Sequence, residues 1–254
     1  MVSGDTRKST NLFLIRHGES TPQVERIMGG MRGDRGLTPL GVAQAERLRD
    51  RLTATREVTA DVVIASTMPR ARQTAEILAP ALGLPIIEDE EVQEVRPGIA
   101  DGLSLEEAEA RFHMSAFVSD PSHPVSPGGE SWQQFVQRVS GAFDRITQQH
   151  AGRTVVVVCH AGVIEGSFLH FFRLPLMSLP PVQFSTQNTS ITHWQQPLDG
   201  ASGRWRLFGY NDAMHLFKPA GKRIDWGSLV GDPGVGADRP AVPLPVNGDR
   251  SGAH

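Results

Sequence analysis

The chain has 254 residues, 39% hydrophobic and 21% charged, with 25 Lys or Arg against 28 Asp or Glu, giving a formal net charge of −3. That length suits one α/β domain, or two small ones, with a genuine apolar core. The charge balance supplies no global basic field for nucleic acid or an anionic membrane.

Taken in chain order, residues 1–10 (MVSGDTRKST) are polar and carry no apolar signal core. A first strand is expected at Leu12–Ile15, running straight into Arg16-His17-Gly18. Thr38-Pro39 supplies an N-cap followed by Pro at the first helical position, with Ala45, Leu48 and Leu52 on one face. A second strand, Asp61–Ala65, precedes Thr67-x-Pro69, which starts a helix running towards Leu82, and Pro85–Glu88 reads as a third strand. Ser104 with Glu107, and Ser131 with Gln134, have capping-box spacing. The Ser131 helix sets Trp132, Phe135, Val139, Phe143 and Ile146 along one stripe. In Thr154–Cys159 (TVVVVC) four β-branched residues are apolar on both faces, as in a central strand covered on both sides. Ser190–Trp194 and Trp205–Phe208 are the last strands, and residues 227–254 form a Gly/Pro-rich tail without periodicity. The alternation of strand and helix predicts a three-layer α/β/α sandwich around a mostly parallel sheet, as one domain over residues 11–226.

Cys159 is the only cysteine, so no intrachain disulfide forms. No stretch approaches the ~18 apolar residues of a membrane span. A cytoplasmic protein in a reducing compartment, without membrane or nucleic-acid partners, is therefore expected.

In open α/β sheets, ligands bind beyond the carboxyl ends of the strands. Here those ends read Arg16-His17-Gly18, then Ser66-Thr67 with Arg70 in the following helical turn, then Cys159-His160-Ala161-Gly162. Each alone is an ordinary polar strand end. Together they bring two Arg and two His to one edge, which suits a tetrahedral dianion: Arg offers a bidentate fork, and helix N-termini add N–H donors. A neutral imidazole is also a competent nucleophile towards phosphorus, and a leaving alkoxide then needs a carboxylic acid nearby.

The segments RHGES, LTPLGVAQAERL, ASTMPRARQTAE and VVVVCHAG, in that order, resemble the histidine phosphatase superfamily in its phosphoglycerate mutase-like branch. The resemblance covers roughly Leu12 to Phe217. It implies that His17 is the phosphorylated nucleophile, that Arg16, Arg70 and His160 form the phosphate pocket, and that no metal or other cofactor takes part. The family's proton donor precedes two glycines at fixed spacing, a pattern matched by Glu94, Gly98 and Gly102. Glu88, Asp89, Glu90 and Glu91 are nearby rivals without that spacing. Ser20, Gln23, Ala161 and Asn188 are the substrate contacts implied, with a lid insertion over residues 97–130. Three departures bear on those contacts: Gln23 stands where an Asn is common, Ala161 where a Gly is usual, and Ala100 where an aromatic is usual.

Rival chemistries are weaker. A cysteine-dependent phosphatase needs an Arg six residues after the nucleophile, and position 165 is Glu. No HExxH or clustered metal-ligand spacing occurs among the nine His. A mutase must hold a bisphosphorylated intermediate, yet between Pro97 and Glu130 the sequence has one cation, Arg111, beside Phe112, Met114 and Phe117. The expectation is a phosphatase using His17 and Glu94 on a small phosphomonoester, releasing inorganic phosphate. Mutase-type transfer and an inactive phosphate-binding module are the alternatives, and Arg26, Arg32 and Arg35 are candidates for a second anionic group.

Overall fold

A computed structural model describes residues 9–114, 116, 120–175, 182–197 and 204–217. The expected tail over 227–254, and Phe117 in the lid, lie outside them. Six strands form one sheet: β1 (Thr10–Arg16), β2 (Val62–Ser66), β3 (Ile86–Asp89), β4 (Thr154–Cys159), β5 (Ile191–Gln196) and β6 (Arg206–Asp212), in the spatial order β3-β2-β4-β1-β5-β6. β1, β2, β3 and β4 pair in parallel, whereas β5 is antiparallel to both β1 and β6. β1 takes in Thr10, which the sequence assigns to the polar extension.

The four valines of β4 alternate between two cores. Val155 and Val157 join Leu12, Leu14 and the stripe of α5 (Trp132–Gln149) on one face. Val156 and Val158 join Ile15 with Leu48 of α2 (Pro39–Thr55) and Ala71 and Leu78 of α3 (Pro69–Leu82) on the other. Burial on both faces, at about 25 cal/mol per Å² of apolar surface, holds the three layers together.

Most expected helix starts are present. Thr38 accepts from Gly41 N, and Ser131 with Gln134 closes a full capping box. Ser104 caps α4 (Leu105–Phe112) through Glu107 N, but the Glu107 carboxylate turns to Arg111 instead of closing the box. The N-cap of α3 is Met68, one residue beyond Thr67. Thr67 Oγ1 is engaged by the side-chain amide of Gln93. Two helices carry no stripe in the sequence. α1 (Thr21–Glu25) is a single short turn. α6 (Ala161–Phe172) has seven consecutive buried residues from Val163 to Leu169, so it is apolar all round.

Among the described residues, no helix is long and apolar enough to cross a membrane. The register sets Arg16 beside Cys159 and Ala65 beside Val158, so the carboxyl ends of β1, β4 and β2 lie side by side. This edge carries the polar residues.

Candidate active site

His17 follows β1 and is 4% exposed. Its backbone is pinned from two directions: its N–H donates to Cys159 O, and its carbonyl accepts from Thr189 N–H and from Asn188 Nδ2 at 3.0 Å. The ring Nδ1–H donates to Gly18 O at 2.7 Å, because a carbonyl can only accept. In a neutral ring this leaves Nε2 with its lone pair, and Arg70 Nε donates to it at 3.1 Å. Burial, then the Arg70 and Arg16 cations, hold His17 well below the ordinary histidine range. The unprotonated tautomer is therefore built in.

Arg70 lies in the first turn of α3 and is fixed by a residue the sequence did not single out. Asp34 Oδ2 accepts from Arg70 Nη1 at 2.9 Å and from Arg70 N at 3.1 Å, and Gly29 O takes a further Nη1 bond. The Asp34 side chain is 0% exposed. Its only sequence signal is a loop acid among glycines, too common a pattern to read.

His160, the N-cap of α6, is fully buried, with its ring centroid 5.1 Å from that of His17. Its Nε2 shares a 2.8 Å hydrogen bond with Ser66 Oγ at the end of β2. Burial first, then Arg70, His17 and Arg16, push its pKa well down. Arg16 is held by Thr186 O and lowered to about 10, mainly by burial, with Glu94 opposing and Arg70 adding to the shift. Among the described residues, Arg16 Nε and His160 Nδ1 are buried without a hydrogen-bond partner. Orphaned buried donors are costly unless a ligand completes them.

Glu94 meets this edge at the start of α6. Its Oε2 accepts from Gly162 N at 3.0 Å, and its Oε1 from Val95 N. A Cβ at position 162 would overlap Glu94 Oε1. The glycine is therefore kept at the second place after His160, where contact demands it, while Ala161 fits at the first. The rival acids are engaged elsewhere: Glu88 with Arg72, Asp89 with Arg145, and Glu91 with Arg96, while Glu90 is exposed.

The expected substrate-contact positions differ in setting. Ser20 is fully buried as the N-cap of α1, boxed with Gln23, whose Oε1 also accepts from Asn188 Nδ2. Asn188 thus ties Gln23 to the His17 carbonyl. Beside it Thr189 is fully buried at φ +57°, an uncommon conformation for a β-branched residue. Its hydroxyl donates to Asn188 O, and the geometry holds the loop against β1. Gly18 faces the Gly41 carbonyl, with which a Cβ would collide, so its smallness serves the docking of α2. A close approach to phosphate, the role the sequence suggests for it, is not what this contact requires.

Of the loop arginines, Arg32 bonds Asp101 and Arg35 pairs with Glu25. Arg26 caps α1 in a left-handed conformation. Cys159 is buried, and burial pushes its thiol pKa up, away from nucleophilic thiolate. Among the described residues no group of three or more His, Cys, Asp or Glu is arranged to hold a metal ion.

Residues 12–213 match the model of the histidine phosphatase superfamily (branch 1). The chain is 32% identical over 212 residues to a metal-independent phosphoserine phosphatase of Arabidopsis thaliana, covering 82% of this chain and 83% of that protein. It is also 32% identical over 210 residues to phosphoglycerate mutase-like protein 4 of the same plant, covering 81% and 86%. Among solved structures, Bacillus stearothermophilus YhfR superposes with a TM-score of 0.69 at 30% identity, covering 82% of this chain and all of that one.

Proposed function

The chain belongs to the histidine phosphatase superfamily, and from that premise we propose that it is a metal-independent phosphomonoesterase working through a phosphohistidine on His17. The observation that carries this reading is the pairing at the His17 ring. Nδ1–H is committed to Gly18 O, and the free Nε2 lone pair lies among Arg70, Arg16 and His160.

In the proposed reaction the phosphoryl group takes up the donors of Arg16, Arg70 and His160, replacing the Arg70–His17 contact. His17 Nε2 attacks in line. An N–P bond forms as the bond from phosphorus to the leaving oxygen breaks, and the Glu94 carboxyl gives that oxygen its proton. The Glu94 carboxylate then takes a proton from water as the water oxygen attacks phosphorus. The N–P bond breaks, orthophosphate departs, and His17 returns neutral. Arg16, Arg70 and His160 act most strongly where the equatorial oxygens gather charge.

For His160 to donate through Nδ1 while neutral, its Nε2 must accept. Ser66 Oγ already accepts from Met68 N, which leaves its O–H free to donate to that nitrogen. Ser66 is thus read as setting the tautomer of His160. Ser20, Gln23, Asn188 and Ala161 are read as lining or bracing the substrate side of the pocket.

The substrate class is a small phosphomonoester, with orthophosphate as product, and the enzyme is read as cytoplasmic. Hydrolysis is preferred to mutase transfer because the lid cation Arg111 is paired with Glu107 within its own helix. The deciding experiment is a metabolite-phosphate screen in the presence of EDTA, with His17→Ala as control. Orthophosphate release by wild type alone is expected. Isomerisation of a phosphoglycerate without release would identify a mutase, and no turnover would identify a binding module.

A further inference from the structure

Glu94 sits on a short irregular segment between two 3-10 turns, Glu90–Val92 and Gly98–Ala100, and outside the sheet. What fixes such a segment is not its own secondary structure. The Arg138 guanidinium, projecting from α5, is 7% exposed and spans it: Nη1 donates to Glu91 O at 2.7 Å and Gln93 O at 3.1 Å, and Nη2 donates to Glu94 O at 3.2 Å. Glu130 completes the fork, accepting from Arg138 Nε and Nη2, each at 2.7 Å.

Glu130 also closes the base of the lid. Its Oε2 accepts from Arg96 N, its own N–H donates to Arg96 O, and Ile99 N donates to Pro127 O. Gly98, at φ +64°, lies against Gly129 so closely that a Cβ there would overlap the Gly129 N. The two ends of the 97–130 insertion are thus clasped together immediately after Glu94, and one buried ion pair holds both the clasp and the Glu94 backbone.

We infer that Arg138 and Glu130 are positioning residues for Glu94, holding its carboxyl at the start of α6 where it meets the phosphoryl pocket. This rests on the reading of Glu94 as general acid. A planar fork with five N–H groups can reach three carbonyls and a carboxylate together, which a lysine ammonium cannot. Loss of the fork therefore frees the segment while keeping the charge that Glu130 needs. A misplacement of about 1 Å at a reacting group is enough to lower a rate about 100-fold.

The test is a mutant cycle on phosphoenzyme formation, read by quenched flow with phenyl phosphate (poor leaving group) and p-nitrophenyl phosphate (good leaving group). Glu94→Gln is expected to slow formation by at least about 100-fold with phenyl phosphate and far less with p-nitrophenyl phosphate. Arg138→Lys is expected to show the same leaving-group bias at about 10- to 100-fold, with little change in KM. In the Glu94→Gln background, Arg138→Lys should add nothing, because its effect passes through the absent acid. Glu130→Gln provides the same cycle if Arg138→Lys proves unstable by thermal denaturation. Multiplicative losses, or losses equal for both leaving groups, overturn the inference while leaving Glu94 as acid. Absence of any leaving-group bias in Glu94→Gln itself overturns the acid assignment, and this inference with it.

Discussion

Asp34 and Arg70 form a buried pair in which one carboxylate oxygen accepts from both the backbone N–H and the Nη1 of the arginine, while Arg70 Nε faces His17 Nε2. The acid does not touch the reacting edge, yet it aims the cation that does. Asp34→Asn should lower kcat/KM about 10- to 100-fold, because a misaimed guanidinium loses much of its transition-state contribution. It should also lower Tm, since removing one partner of a buried pair costs about 3–5 kcal/mol. Steady-state kinetics with thermal denaturation checks both; unchanged kinetics would show that Arg70 is aimed without it.

Burial and the neighbouring arginines hold His17 below its ordinary value of 6.5. The acid limb of kcat/KM assigned to the nucleophile should therefore fall below pH 6.5, as the competent form is unprotonated. For stability the sign follows from linkage. Below about pH 6.5 the unfolded chain takes up protons that buried His17 and His160 refuse, so stability declines as pH falls through that range. Denaturant titrations at pH 7.5 and pH 5.5 should show the drop, and a smaller one in His17→Ala.

The cost of holding Arg16, Arg70 and two histidines in one buried pocket should be relieved by an anion. Orthophosphate or vanadate is expected to raise Tm in proportion to saturation, by RT ln(1 + [L]/Kd). Arg16→Ala should abolish most of that rise. A phosphate-independent Tm in wild type would count against an anion pocket at this edge.

Gly162→Ala places a methyl group against Glu94 Oε1. Because Glu94 can swing away, the fold should survive, with activity on poor leaving groups reduced about 10- to 100-fold. Ala161→Gly should leave activity near wild type. Equal effects from the two changes would mean that Glu94 is not held by the start of α6.

Ser66→Ala removes the group that shares a hydrogen bond with His160 Nε2. The expected result is a fall in kcat/KM of about 10-fold, together with a change in the His160 tautomer visible in ¹⁵N NMR of the ring. An unchanged tautomer would remove Ser66 from the role proposed for it.

The legible parts of this chain are those in which local pattern and chemistry coincide. Four consecutive valines dictated a strand buried on both faces, and an alternating β/α pattern put Arg16, His17, Arg70 and His160 on one sheet edge. Their sequence spacing already implied an anion pocket, because strand ends in a parallel sheet are neighbours whatever lies between them. α6 escaped the same reading because it is buried all round and shows no helical stripe. Met68, not Thr67, caps α3 because Thr67 is engaged by Gln93 from a distant segment.

Only the tertiary structure decided which proton His17 carries, what holds Arg70, and what anchors Glu94. Asp34 lies 36 residues from Arg70, Glu94 is 68 from Gly162, and Arg138 is 44 from Glu94. No local period encodes such pairs; they exist because packing α3, α5 and α6 onto the sheet brings buried polar groups together, where each must find a partner. The order of residues along the chain thus chose the chemistry at the strand ends. The packing of helices across the sheet chose its geometry.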